Sequence, residues 1–319
     1  KVSHSNLCSE ITLATSKDRT AVCCLSSVNL EEYDEWKNDP LFIEDLVRML
    51  DNVISYFVEK APPQLSKAVT SARNERSLGL GAMGFHAYLQ RHNIAFESAI
   101  AKGRNKKMFS FIKEGAKRAT KKLAEERGPC PDGASAGVRN AHLLAVAPNA
   151  SSSIICGNTS PSIEPYRANA FTQKTKSGSA LLKNEYLEHA LQDLDQDTSD
   201  VWKSIITNGG SVQHLDFLDD YTKEVFKTAV EIDQRWVIEM AGDRQEDICQ
   251  SQSLNIFFPS NVSKQELHAI HMMAWKRKIK TLYYLRSEAM KRAETVSDEV
   301  LRQYIMDSID DEGCLACEG

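Results

Sequence analysis

Residues 141–153 read AHLLAVAPNASSS. The apolar run 142–147 predicts a buried strand, and the small hydroxyl residues after Pro148 predict a turn. A strand that runs into such a turn and then a helix offers backbone N–H groups and hydroxyls to an anion. The plain alternative is a serine-rich turn. Outward from this stretch, strands alternate with helices. Residues 9–14 and 20–26 read as extended, joined by the polar turn TSKDR. A helix follows, with Asp39 as N-cap, Pro40 in its first turn, and a stripe of Leu41, Leu46, Leu50, Val53, Ile54 and Phe57. Pro62-Pro63 stops it. A basic amphipathic helix at 106–127 ends at Gly128-Pro129, and its Lys/Arg run reads as a solvated face. Helical stretches are predicted near 181–194 and 221–241. Another starts at Ser263, where Ser263 and Glu266 spell a capping box. It leads into KIKTLYYL, read as a strand at 279–285. This alternation predicts an α/β architecture.

The 319 residues are 42% hydrophobic and 26% charged, with a formal net charge of −5. That is a globular composition, long enough for one large domain or two small ones. No run of about 18 apolar residues predicts a membrane span, no apolar leader reads as a signal peptide, and no basic run predicts nucleic-acid binding. An anionic substrate therefore needs local donors. Motif-like residues begin almost at once after Lys1, which reads as a piece of a longer protein: a processed product, or one half of a split one. The blander reading is a trimmed or disordered leader. Eight cysteines are too sparse for a secreted disulfide scaffold and suit a cytoplasmic protein with working thiols. Cys130, Cys156 and Cys249 read as small core hydrophobes. The acidic end, residues 287–319, reads as a mobile tail with one short amphipathic helix at Val300, Leu301, Tyr304 and Ile305.

Four places carry potential chemistry. In SNLCSEI, an extended backbone would set Asn6, Cys8 and Glu10 on one face, with Leu7 and Ser9 on the other. That face would hold an amide, a thiol and a general base; a polar edge strand is the alternative. In LGLGAMG, Gly79, Gly81 and Gly84 spell G-x-G-x-x-G. The preceding residues are polar and no acid sits near 104, so the dinucleotide reading fails and close packing at a helix start is expected instead. The PNASSS turn is the third place. The fourth is Tyr283-Tyr284 together with Cys314-x-x-Cys317, a dithiol or half a zinc site.

In order along the chain stand SNLCSEI, AVCCLSSVNL, RSLGLGAMGF, APNASSS, SIEPY, QSQSLN, KTLYYLRS and CLAC. Taken together, the set resembles the C-terminal half of the large (alpha) subunit of class I ribonucleotide reductase. The resemblance implies the C-terminal portion of a ten-stranded α/β barrel over 1–286, with a finger loop around Cys8, and a redox-active tail over 287–319. It implies reduction of ribonucleoside diphosphates to their deoxy forms by a thiyl-radical mechanism.

By the same resemblance, Cys8 is the thiyl cysteine, Glu10 the general base for the 3′-hydroxyl, and Asn6 the residue that orients the sugar hydroxyls or the carboxylate. Cys23, favoured over Cys24 by the pattern C-x-L-S-x-x-N-L, is one reducing thiol; its usual partner would lie on an earlier strand. Leu7 and Ser9 complete the substrate-contacting loop. Pro148, Asn149, Ala150, Ser151 and Ser152 match the turn that holds the diphosphate. Tyr283 and Tyr284 match the radical-transfer pair, although neighbours in a regular strand diverge. Cys314 and Cys317 match the tail dithiol. No cofactor or metal is expected on the chain itself. Implied partners are an N-terminal alpha polypeptide, a metal-containing radical-generating beta subunit, and thioredoxin or glutaredoxin. Two other readings stay open: a cobalamin-dependent reductase, and a non-enzymatic zinc or scaffold protein built on the tail cysteines.

Overall fold

A computed structural model of the chain describes residues 2–175 and 178–287. Five extended segments stand side by side in parallel. Strand β1 (Cys24–Asn29) pairs with β2 (Leu78–Met83), Cys24 opposite Leu78. Leu80 bridges to Leu144, and Val146 bridges to Gln252. The segment after Gln252 continues through β5 (Ile256–Phe258), which pairs with β6 (Leu285–Ser287). The antiparallel hairpin β3 (Ala170–Thr175) and β4 (Gly178–Lys183) stands apart from this wall. The element types are those of the expected α/β fold, because parallel neighbours need long crossovers and the crossovers here are helical.

Those helices are α1 (Tyr33–Trp36), α2 (Phe42–Lys60), α3 (Ser66–Glu75), α4 (Phe85–Arg91) and α5 (Ala99–Arg127), then α6 (Ala150–Ile155). Beyond the hairpin start come α7 (Glu185–Asp193), α8 (Ser199–Thr207), α9 (Asp220–Val225), α10 (Gln234–Gln245) and α11 (Lys264–Lys276). The main core packs α2, α5 and α10 on the wall through residues such as Val47, Ile54, Leu80, Ile112, Val146 and Leu254. A second core gathers Leu187, Leu191, Trp202, Ile205, Val225 and Phe226 beneath the later helices. Among the described residues no helix is long and apolar enough to cross a membrane.

Several local expectations shift. Residues 9–14 form no strand: Ser9 donates its N–H to the Asn6 carbonyl at 3.1 Å and holds φ at 68°, so the chain turns. The TSKDR turn is closed by a Ser16–Arg19 bridge, and the strand after it starts only at Cys24. Asp39 caps the turn before α2, accepting from Leu41 N at 2.9 Å, and the helix begins at Phe42. The buried stripe of α2 is Ile43, Val47, Leu50 and Ile54, which leaves Leu41 and Val53 exposed. Helix α5 starts earlier than expected because Ser98 caps it, accepting from Ala101 N. Its basic face is tied in ion pairs such as Lys122–Glu44 and Lys113–Asp247. The expected helix 221–241 is two helices, because Glu231 captures Thr228 locally at 2.8 Å and Asp233 caps a new start at Gln234. Ser263 caps α11 as expected, accepting from Glu266 N at 3.0 Å.

The glycines of LGLGAMG serve the wall as well as a helix. A Cβ on Gly81 would stand 2.5 Å from the Ala145 carbonyl, so β2 and the 144–146 segment approach only through glycine. Gly84, at φ 80°, starts α4. Asp51, fully buried, ties three elements by accepting from Arg76 at 2.7 Å, Arg127 at 3.0 Å and Asn140 at 3.0 Å. Burial pushes its carboxyl up, but Arg76 and Arg139 outweigh burial and hold it below the usual range. Removing one partner from such a buried cluster costs about 3–5 kcal/mol.

Candidate active site

The 5–11 loop is shaped by its own amide. Asn6 Oδ1 accepts the N–H of Ile11 at 3.0 Å, which closes the bend that carries the half-buried Cys8. Leu7 is 69% exposed at the tip, while Ser9 and Glu10 are buried. The one-face alternation expected for Asn6, Cys8 and Glu10 is thus replaced by a turn. The turn still brings the thiol and the carboxylate together, since the Glu10 charge acts on Cys8.

Segment 250–255 seats this loop. Ser251 N donates to the Glu10 carbonyl at 2.9 Å. Ser253 Oγ lies 2.5 Å from the Cys8 carbonyl and 3.0 Å from Glu10 Oε2. Thr281 Oγ1 donates to the Ser9 carbonyl at 2.9 Å. Gln250 Nε2 donates to Leu78 O at 2.9 Å and reaches Cys23 Sγ at 3.4 Å.

Cys23 and Cys24 face opposite ways, as adjacent extended residues must. Cys24 packs against the main core and feels Arg76. Cys23 looks toward Gln250, Cys249 and Glu10, the side of the loop, and burial above all pushes its thiol up to about 12. Burial likewise raises the Cys8 thiol, opposed by a hydrogen bond with Tyr283. Both sulfurs therefore stay protonated near neutral pH, the form that gives up a hydrogen atom.

The tyrosine pair precedes β6 and lies outside any regular strand. Tyr283 N donates to Leu254 O at 2.8 Å and Tyr284 N to Asn255 Oδ1 at 3.1 Å. The irregular backbone lets neighbouring rings fold together, with centroids 4.0 Å apart and planes at 42°. Tyr283 is hydrogen-bonded to both Tyr284 and Cys8, and burial with these bonds raises its phenol. Tyr284 is 40% exposed, with the Arg286 guanidinium 4.9 Å from its ring centroid. Asn255 is fixed in turn by buried Glu164 of SIEPY, through N–H at 3.0 Å and Nδ2 at 3.1 Å. Burial raises the Glu164 carboxyl.

The PNASSS turn becomes a short helix start. Asn149 adopts φ 54° ahead of α6 and accepts from Ser27 Oγ at 3.1 Å. Ser27 is on the same face of its strand as Cys23, about 13 Å along at the usual rise. Residues 148–152 are half-buried. The structure thus gathers Asn6, Cys8, Glu10, Cys23, Tyr283 and Tyr284 at one place and sets Pro148–Ser152 farther along β1. Cys314 and Cys317 lie outside the described residues, as does most of the expected tail. Gln250, Ser253, Asn255 and Glu164 join the site without having been assigned roles from sequence. Their only signal was membership in QSQSLN and SIEPY.

The remaining cysteines divide. Cys130 is buried as expected, but Cys156 and Cys249 are exposed, which overturns their reading as core residues. Cys249 sits where segment 250–255 begins, and Leu143 and Leu144 aim their N–H groups at its sulfur, at 3.2 and 3.3 Å. Burial of the thiol itself pushes upward, yet His142 and these amides lower its pKa overall.

The ribonucleotide reductase barrel-domain family model matches residues 1–134 and 131–285. The ribonucleoside-diphosphate reductase large subunit of Invertebrate iridescent virus 6 is 52% identical over 294 residues, which cover 91% of this chain and 31% of that protein. A putative ribonucleoside-diphosphate reductase large subunit of Frog virus 3 (isolate Goorha) is 50% identical over 322 residues, covering all of this chain and 56% of that one. The solved Actinobacillus ureae class Id ribonucleotide reductase alpha subunit matches with a TM-score of 0.84 at 42% identity, over 89% of this chain and 53% of that chain. The chain therefore spans between about a third and just over half of the length of these relatives. At this identity, and with the family model running from the thiol loop to the tyrosine pair, the chain belongs to the ribonucleotide reductase barrel-domain family.

Proposed function

We propose that the chain is the C-terminal portion of the catalytic barrel of a ribonucleoside-diphosphate reductase large (alpha) subunit, and that it reduces ribonucleoside diphosphates by a thiyl-radical mechanism. The observation that carries this reading is the hydrogen-bonded line Tyr284–Tyr283–Cys8, ending on the loop that also holds Glu10.

A radical delivered to Tyr284 passes to Tyr283, and the Tyr283 phenoxyl takes the hydrogen atom of the Cys8 thiol. The Cys8 sulfur radical takes the ribose 3′-hydrogen, a nearly even exchange because S–H and C3′–H bonds are close in strength. Glu10 accepts the 3′-hydroxyl proton. The 2′-hydroxyl leaves as water, taking one proton. Cys23 and a second thiol, on the part of the subunit N-terminal to this chain, become a disulfide and supply two electrons and two protons, one proton to the departing water and one to C2′. Glu10 returns its proton to the 3′-oxygen, and Cys8 finally returns its hydrogen to C3′. Asn6 shapes the loop and orients the sugar side, with Leu7 and Ser9 flanking it. The diphosphate is assigned to Pro148–Ser152, where the first amides of a helix have no intrahelical acceptor. Cys314 and Cys317 then reduce the disulfide by exchange and are reset by thioredoxin or glutaredoxin.

The radical source is assigned to a metal-containing beta subunit, and the setting to the cytoplasm. A cobalamin enzyme would have no use for a tyrosine relay, so the close-set tyrosine pair favours the beta-dependent reading. The test mixes the purified chain with an N-terminal alpha polypeptide, the beta subunit and thioredoxin, and follows deoxyribonucleoside diphosphate. Product in the full mixture is expected, and none when the N-terminal polypeptide or the beta subunit is omitted. Turnover without the beta subunit, or none in the full mixture, contradicts the proposal.

A further inference from the structure

Ser253 is fully buried, and its backbone is pinned between neighbours: its N–H donates to Val146 O at 2.8 Å. Its hydroxyl therefore has little freedom to move, and it stands between two oxygens of the reactive loop. The Cys8 carbonyl is 2.5 Å away and Glu10 Oε2 is 3.0 Å away. A hydroxyl has one proton and two lone pairs. It cannot donate to both oxygens at once, and the shorter contact marks the Cys8 carbonyl as the acceptor. What Ser253 then offers Glu10 is a lone pair. An ionised carboxylate has no proton to place there; a protonated one does.

We propose that Ser253 is a positioning residue for the reaction: its hydroxyl proton is held by the Cys8 carbonyl, and its lone pair accepts a hydrogen bond from the Glu10 carboxyl once that group has taken the proton of the 3′-hydroxyl. Protonation of the base completes a chain Glu10–Ser253–Cys8, in which every buried polar atom named has a partner. The base thus gains its best hydrogen bond only after accepting the substrate proton. This assignment rests on the reductase reading and on Glu10 as its base. The titratable groups that face Glu10 are Cys8 on its own loop, Cys23 at the start of β1 and, through Cys8, Tyr283 ahead of β6. Burial, first among the causes, raises all three above their usual ranges.

The test uses the complete enzyme, with N-terminal polypeptide, beta subunit and reductant, and compares wild type, Ser253→Ala and Ser253→Thr. Ser253→Ala is expected to lower kcat about 10- to 100-fold with KM for the nucleoside diphosphate within about 3-fold. It is also expected to move the acid limb of kcat to lower pH, because the acceptor for the Glu10 proton is gone. Ser253→Thr, which keeps the hydroxyl, is expected to recover kcat to within about 3-fold of wild type. An acid limb moved to higher pH would show that Ser253 donates to the carboxylate instead, and would overturn the assignment. So would unchanged kcat in the alanine variant, or equal loss in both variants, including loss of the folded state on thermal melting. Wild-type turnover separates the two claims: if wild type is inactive the reductase reading itself falls, and if wild type is active while Ser253→Ala matches it only the role of Ser253 falls.

Discussion

The phenol of Tyr283 is hydrogen-bonded to the thiol of Cys8, across 275 positions of sequence. A hydrogen atom can pass along that bond without any large motion, and the folded Tyr283–Tyr284 pair extends the path toward the exposed face.

Tyr284→Phe keeps the ring and its packing against Tyr283 but removes the oxidisable hydroxyl. Nucleotide reduction is expected to be lost, while equilibrium binding of the nucleoside diphosphate stays within about 2-fold, since the ring remains to pack. Rate assays beside equilibrium dialysis check this. Full activity in the variant would point to a radical source that bypasses the tyrosines.

The two thiols nearest segment 250–255 should differ sharply toward an electrophile. Cys249 has a lowered pKa from His142 and the two amides, whereas burial pushes Cys23 up to about 12. Since the thiolate is the nucleophile, brief iodoacetamide treatment at pH 7 should label Cys249 and spare Cys23, as read by peptide mass spectrometry. His142→Ala should slow the Cys249 labelling several-fold. Equal labelling of both thiols would contradict the described cradle.

His86 is fully buried and accepts the Tyr166 N–H on Nδ1 at 2.9 Å, and burial depresses its pKa to about 3. The folded state keeps it neutral, while the unfolded chain takes up a proton below about 6.5. Its stabilising contribution is thus present above pH 6.5 and is lost as pH falls toward 3, at about 1.4 kcal/mol per pH unit. Urea unfolding of wild type and His86→Asn should therefore show a stability gap that narrows by about 2 kcal/mol between pH 7 and pH 5. A gap that does not change with pH would mean that His86 takes up its proton as readily in the folded protein as in the unfolded chain.

What could be read from sequence, and what could not, follows from the range of the interactions. Side-chain alternation correctly separated Cys23 from Cys24, because it depends on two adjacent residues. The capping residue Ser263 was legible for the same local reason. The extended reading of 9–14 failed because a period-two pattern of polar and apolar residues is also compatible with a loop, and the left-handed Ser9 breaks it. The tension over Tyr283-Tyr284 was legible, and its resolution by an irregular backbone was the alternative it required. Ser253, Gln250, Asn255 and Glu164 had no readable role: Ser253 meets Glu10 over 243 positions, and Asn255 meets Glu164 over 91. Short polar stretches such as QSQS look like loop until the fold supplies their partners. Cys249 looked like a core residue because small sulfhydryls usually are, and its amide cradle exists only once 142–144 lies beside it.

The central claim is that a sulfur-centred radical forms at Cys8. Cys8→Ser replaces the thiol with a nearly isosteric hydroxyl whose O–H bond is too strong to yield the needed radical. In the complete enzyme, deoxynucleotide formation by this variant is measured against wild type, with substrate binding as the control. No detectable reduction with binding retained is the expected result, and turnover above background would remove Cys8 from the reaction.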